Sequence, residues 1–212
     1  LSRQNHYRSI GIIIKLTDVI HYTMSSHHIV REKQEPALLI IDLDHFNTEL
    51  LGQLLEWSPT VLVTDTSYEK VNAMGIKIDA IFTTKVSCSI QAHTRIIPCT
   101  DNQLADALKY LVAEQYPAVN IIDHSFCLKD YALFADLINL VVFVGNQKIF
   151  PIRSGFSKWQ VAKQNISLMH EASNVHTFGL LPTSNTMFKT EKDGFYGLTF
   201  DQPFVFMSER ID

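Results

Sequence analysis

Residues 37–64 read ALLIIDLDHFNTELLGQLLEWSPTVLVT. Their reading decides the fold because the hydrophobic period changes twice. Ala37 to Ile41 is an unbroken apolar run after Pro36, as expected of a strand buried on both faces of a parallel sheet. Asn47 then precedes Leu50, Leu51, Leu54 and Leu55, a spacing that puts all four leucines on one helical face. Thr60 to Thr64 returns to strand.

Further along, the alternation continues. Helical spacing runs from Tyr68 to Met74 and stops at Gly75, a left-handed C-cap. Strands are expected over Ile78–Phe82, Arg95–Pro98 and Ala118–Ile122, and helices over Asn102–Gln115 and about Lys129–Leu137. Strand following helix in this order predicts a doubly wound, Rossmann-like α/β sheet. Beyond residue 139 the pattern shifts to short β segments at Leu140–Val144, Gln147–Ile152, Trp159–Val161, Gln164–Met169 and Val175–Leu180. Gly145-Asn146, Arg153-Ser154-Gly155 and Asp193-Gly194 supply turns. The expectation is an N-terminal extension over 1–36, an α/β nucleotide-binding-like domain over 37–139 and a β-sandwich over 140–212.

The chain has 212 residues, 46% hydrophobic and 19% charged, which is ample for a buried core. A net charge of −4 without a lysine-arginine stripe argues against nucleic acid as a partner. Cys88, Cys99 and Cys127 are odd in number and far apart, so buried or incidental thiols in a reducing, cytoplasmic setting are expected rather than a disulfide framework. No apolar run reaches the roughly 18 residues of a membrane span. Ile10 to Ile14 is soon followed by Lys15 and Asp18 and lacks a cleavage signature, so no signal peptide is expected. His21, His27 and His28 lie in a polar stretch and are expected to be exposed rather than metal-binding.

Several motifs carry a resemblance. Thr64-Asp65-Thr66-Ser67-Tyr68, then Gly75-Ile76-Lys77-Ile78-Asp79, then Thr83-Thr84-Lys85-Val86-Ser87 follow one another at fixed spacing. Cys99 to Gln103 precedes a helix containing Ala107-Leu108-Lys109-Tyr110-Leu111. Asp130 to Ala135 opens a later helix, Val175 to Leu180 has the form Val-x-Thr-x-Gly-Leu, and Thr183-Ser184-Asn185-Thr186 precedes the last strand. In order and spacing this resembles the thiamine pyrophosphokinase family over about residues 37–210, and the chain is identified as a divergent member.

The resemblance implies pyrophosphoryl transfer from ATP to thiamine with Mg2+, in a homodimer whose thiamine sites lie where β domains meet the partner's α/β domain. It places Asp65 and Asp101 as catalytic, metal-binding acids. Asp79, Asn102, Gln103, Ser184 and Asn185 fall in the cofactor- and ligand-binding set. It also exposes substitutions. The two aspartates of the family's Gly-Asp-Phe-Asp-Ser fall on Thr84 and Val86, and Asn102 and Gln103 stand in place of Thr and Asp. Magnesium is a hard cation that prefers oxygen ligands, so losing these carboxylates predicts weak or absent kinase activity unless Asp65, Asp79, Asp101 and Asp136 rebuild the site.

Bland roles compete at the same positions. Asp65 and Asp101 each precede a helix and would serve as N-caps, Asp79 and Ser184-Asn185 would serve in turns, and Trp159 would serve as core. A second class of function is a non-catalytic dimer that binds thiamine or a nucleotide. A third is an aspartate-nucleophile phosphatase, because Asp42-Leu43-Asp44 after an apolar strand resembles the Asp-x-Asp loop of haloacid-dehalogenase-like enzymes. Phe46 stands where those enzymes carry Thr or Val, and their later lysine and acidic pair are not evident in order.

Overall fold

The computed structural model describes residue 33, residues 35–85 and residues 90–211. These described residues form one compact unit. The first half contains β1 (Ala37–Ile40), α1 (Thr48–Leu55), β2 (Val61–Thr64), α2 (Asp65–Ala73), β3 (Ala80–Thr83), β4 (Arg95–Pro98), α3 (Gln103–Ala113), β5 (Ala118–Asp123) and α4 (Leu128–Ala132). The second half adds β6 (Asn139–Val144), β7 (Gln147–Ile152), β8 (Phe156–Gln160), β9 (Asn165–Leu168), β10 (His176–Phe178), β11 (Leu180–Pro182), β12 (Met187–Thr190), β13 (Gly194–Thr199) and β14 (Val205–Arg210).

Among the described residues, eleven strands make one sheet in the order β11-β12-β9-β14-β7-β6-β5-β1-β2-β3-β4. Pairing is parallel from β4 through to β6 and antiparallel from β6 onward. All four residues of β1, of β2 and of β3 are buried, which is why these segments read as unbroken apolar runs. One core packs α3 and the α4 region against the sheet through Phe82, Leu108, Leu111, Tyr131 and Phe206. A second packs α1 and α2 on the opposite residues of the same strands, through Leu38, Ile40, Leu51, Val63 and Val71. A third joins the antiparallel end of the large sheet to a separate three-stranded sheet, β10-β13-β8, through Ile166, Leu168, Tyr196, Leu198 and Met207.

The expected boundary at 139/140 falls on the first residues of β6. That strand pairs in parallel with β5 from Ala118↔Asn139 to Asp123↔Val144, so the sheet continues through it. Helix α2 starts three residues before the expected Tyr68, because Thr64 and Ser67 supply a start signal of their own. The Ser67 hydroxyl accepts the Thr64 N–H at 3.3 Å and donates to the Ile40 carbonyl at 2.6 Å. The helix expected over 129–137 is only Leu128–Ala132. Past it, Phe134 N–H and Leu137 N–H bond three residues back, to Tyr131 and Phe134, tightening the chain into turns while Phe134 and Ile138 are buried.

Trp159, expected in the core, is 50% exposed. Along β8 the inward positions belong to Phe156 and Lys158, and the Lys158 ammonium reaches the buried carboxylate of Glu209 at 2.5 Å. Alternation then puts Trp159 on the outer side, opposite exposed Phe195. No helix among the described residues is long and apolar enough to cross a membrane.

Candidate functional site

From β1 the chain adds β2, β3 and β4 on one side, then crosses to β5 and β6 on the other. The winding reverses at the β1–β5 pair, and in open α/β sheets ligands bind in the crevice outside the carboxyl ends of strands at such a reversal. The segments that leave the strands there carry Asp42 and Asp44 after β1, Asp65 after β2, Thr84 and Lys85 after β3, Cys99 to Gln103 after β4, and Asp123 and His124 at β5.

Asp65 is the first residue of α2, where free helical N–H groups favour a carboxylate. Thr64, not Asp65, holds the N-cap position. The Asp65 carboxylate turns to its neighbours. Its Oδ2 accepts the Gln103 carboxamide Nε2–H at 2.7 Å and the Thr84 N–H at 3.2 Å. Burial pulls its pKa upward, but hydrogen bonds from the Thr83 hydroxyl, the Thr84 N–H and Gln103 outweigh that and leave it below the usual carboxylate value. The single Thr83 proton is divided between Asp65 and the Lys85 carbonyl, 3.0 Å away. Burial, followed by the charges of Asp65, Asp106 and Asp101, pushes the nearby Cys99 thiol pKa above its ordinary value.

Gln103 reaches Asp65 because its turn is preset. Asn102, and not Asp101, caps α3: its Oδ1 accepts the Ala105 N–H at 3.0 Å. Thr100 clips the same turn, donating its N–H and hydroxyl to Asp106 at 2.7 and 2.6 Å. Asp101 is exposed beside this turn.

At the reversal itself a second polar group forms. His124 Nδ1 lies 3.0 Å from Asp123 Oδ1 and 3.6 Å from Asp42 Oδ2. Asp42 Oδ1 accepts the Asp44 N–H at 2.7 Å, and exposed Lys70 pairs with Asp44. The Tyr131 hydroxyl donates to buried Asp123 Oδ2 at 2.9 Å, beneath a stack with Phe126 at 5.1 Å. Burial and then the adjacent Asp123 charge drive the Tyr131 pKa far above the ordinary phenol range, so it is a permanent donor here. Removing a hydrogen bond to a buried charge costs about 1.5–3 kcal/mol. Tyr131→Phe is therefore expected to lower the thermal midpoint by about 3–12 °C in a calorimetric scan.

Other sequence-predicted residues lie elsewhere. Asp79 sits at the opposite, amino-terminal ends of the strands. Its Oδ2 accepts the Val61 N–H at 2.9 Å and its Oδ1 meets Lys77 at 2.5 Å, so it ties β2 to β3 rather than facing the crevice. Asp136, before β6, pairs with Arg153 at 2.6 Å at that same far end and does not rebuild the site. Ser184 and Asn185 form the exposed β11–β12 turn, where the Ser184 hydroxyl accepts the Met187 N–H at 3.1 Å. Eight interstrand steps of about 4.8 Å separate β11 from β2, so within one chain this turn stands roughly 38 Å along the sheet from Asp65. Val86, Ser87, Cys88, His21, His27 and His28 lie outside the described residues.

The sequence reading missed Asp123 and His124. The signal was present: an Asp-His pair closing the apolar run Ile121-Ile122. Its meaning depended on β5 lying beside β1, which local spacing does not encode.

The sequence matches no protein-family model and no curated protein. Its structure does match solved ones. Thiamine pyrophosphokinase from Bacillus subtilis is similar at TM-score 0.60 and 13% identity, over 83% of this chain and 99% of that one. A thiamin pyrophosphokinase family protein from Enterococcus faecalis reaches TM-score 0.61 at 11% identity, over 84% of this chain and 100% of that one. Thiamin pyrophosphokinase from Candida albicans reaches 0.61 at 11% identity, over 85% and 90%. The chain thus has the thiamine pyrophosphokinase fold with a diverged sequence.

Proposed function

We propose that this chain is a thiamine-binding homodimer of the thiamine pyrophosphokinase type in which pyrophosphoryl transfer from ATP is weak or lost. The single observation that carries this reading is the occupation of Asp65. Where the family resemblance calls for further carboxylates, Thr84 offers an N–H and Gln103 a carboxamide, and both donate to Asp65. The likeness in fold supports thiamine as the ligand. The distance between the Ser184-Asn185 turn and Asp65 in one chain supports a dimer, since the two meet only if one protomer supplies the turn and its partner the crevice. Free, unpaired Cys99 and Cys127 suit a cytoplasmic protein.

Losing one preorganised transition-state contact costs about 10²–10³ in kcat. With three family carboxylates replaced, at Thr84, Val86 and Gln103, turnover is expected to be at least about 10⁴ below the typical 10 per second. Isothermal calorimetry should register thiamine binding, and a coupled AMP-release assay with ATP and magnesium should stay near background. Turnover near one per second that disappears in Asp65→Ala would refute the loss of activity. Absence of thiamine binding would refute the ligand.

A further inference from the structure

We infer that the Gln103 carboxamide occupies the seat of a cation beside Asp65, so that this crevice takes its ligand without a divalent metal and disfavours nucleoside triphosphates. The inference deepens, and rests on, the thiamine-type reading of the crevice.

A carboxylate oxygen presents two in-plane lone pairs. Both on Asp65 Oδ2 are used, by Gln103 Nε2 at 2.7 Å and by the Thr84 N–H at 3.2 Å. The orientation of the amide is dictated by chemistry: the reverse rotamer would press its carbonyl oxygen against a carboxylate. Asn102 and the Thr100–Asp106 clip hold this turn in place and so position the backbone that carries the amide. Magnesium demands a near-octahedral set of oxygens, with carboxylates to offset its charge. Among the described residues, no three His, Cys, Asp or Glu side chains are grouped to hold a metal ion. Thr84 presents a neutral hydroxyl.

Charge bears on the triphosphate alone; the metal-free reading rests on the occupied lone pairs of Asp65. Asp42, Asp44, Asp65, Asp101 and Asp123 stand at this edge of the sheet, against Lys70 and Lys85, and Lys70 is already paired with Asp44. A triphosphate stripped of metal meets repulsion here, whereas an organic cation such as a thiazolium meets attraction.

Manganese titration of the full chain, followed by electron paramagnetic resonance, tests this directly. The native protein should show no saturable site, and the double variant Gln103→Asp with Thr84→Asp should gain at least about tenfold in manganese affinity, since ligand charge tunes such sites. Saturable manganese binding to the native protein that is lost in Asp65→Asn overturns the inference, as does a natively folded double variant that gains nothing. On the native protein, thiamine affinity should be equal in EDTA and in millimolar magnesium. Tightening by about tenfold or more with magnesium also overturns it. Absence of thiamine binding in both conditions defeats the thiamine reading alone, and the manganese result still decides the metal question.

Discussion

Phe206→Ala is expected to destabilise the protein by about 3–5 kcal/mol, the range for emptying a buried phenylalanine site. The cause lies in β14, which runs between β7 and β9 and is buried on both sides. Val205 and Met207 fill the core shared with the three-stranded sheet, while Phe206, fully buried, projects into the other core and packs on Phe126 at 5.1 Å and Phe204 at 5.8 Å. Truncation therefore leaves a void that rigid strands on both sides cannot close. At about 2–4 °C per kcal/mol for a chain of this size, the thermal midpoint should fall by about 6–20 °C. Urea unfolding should show a lower midpoint with an unchanged slope. A loss below about 1 kcal/mol would mean that Phe206 is not the core anchor that its burial indicates.

Gly179→Ala should cost about 2–5 kcal/mol through two separate effects. Gly179 has φ +67°, a region that costs a side-chain-bearing residue roughly 1–2 kcal/mol. An added Cβ would also stand 2.6 Å from the Phe195 carbonyl oxygen and 3.1 Å from Tyr196 Cα, both main-chain atoms that cannot swing aside. Overpacking of this kind costs about 1–3 kcal/mol. Gly75 provides the control. Its φ is +71° but nothing lies within 4 Å of its Cβ position, so Gly75→Ala should carry only the conformational part. Equal losses at the two sites, measured by chemical denaturation, would contradict the close approach at Gly179. The contact also accounts for a glycine in the Val-x-Thr-x-Gly-Leu stretch: it stands where the chain leaves β10 in one sheet and enters β11 in the other.

What local periodicity controls was legible. β1 and α1 stand where the apolar run and leucine spacing put them, β1 buried throughout and α1 burying Leu51, and β4 keeps its expected Arg95–Pro98 bounds at the exposed sheet edge. Gly75 takes the left-handed turn expected of it. What long-range pairing controls was not. Asp79 reads as a turn residue or a ligand, and only the β2–β3 register shows its carboxylate on Val61 N–H. Choosing between Asp101 and Asn102 as cap required the Thr100–Asp106 clip, a contact six residues long. Trp159 reads as core until Lys158 is seen turning inward to Glu209, a partner 51 positions away. Asp123 and His124 meet Asp42 only through the order of strands.

The eleven-stranded sheet passes from parallel to antiparallel pairing at β6–β7 without a gap in the ladder. A main-chain ladder of that kind leaves no hinge. The parallel and antiparallel halves cannot rock against each other to engulf a small molecule, since each degree of opening would shear interstrand bonds. Whatever shields a guest at the Asp65 edge from water must arrive sideways, from connecting segments or from another copy of the chain, and its escape is governed by how quickly that cover lifts.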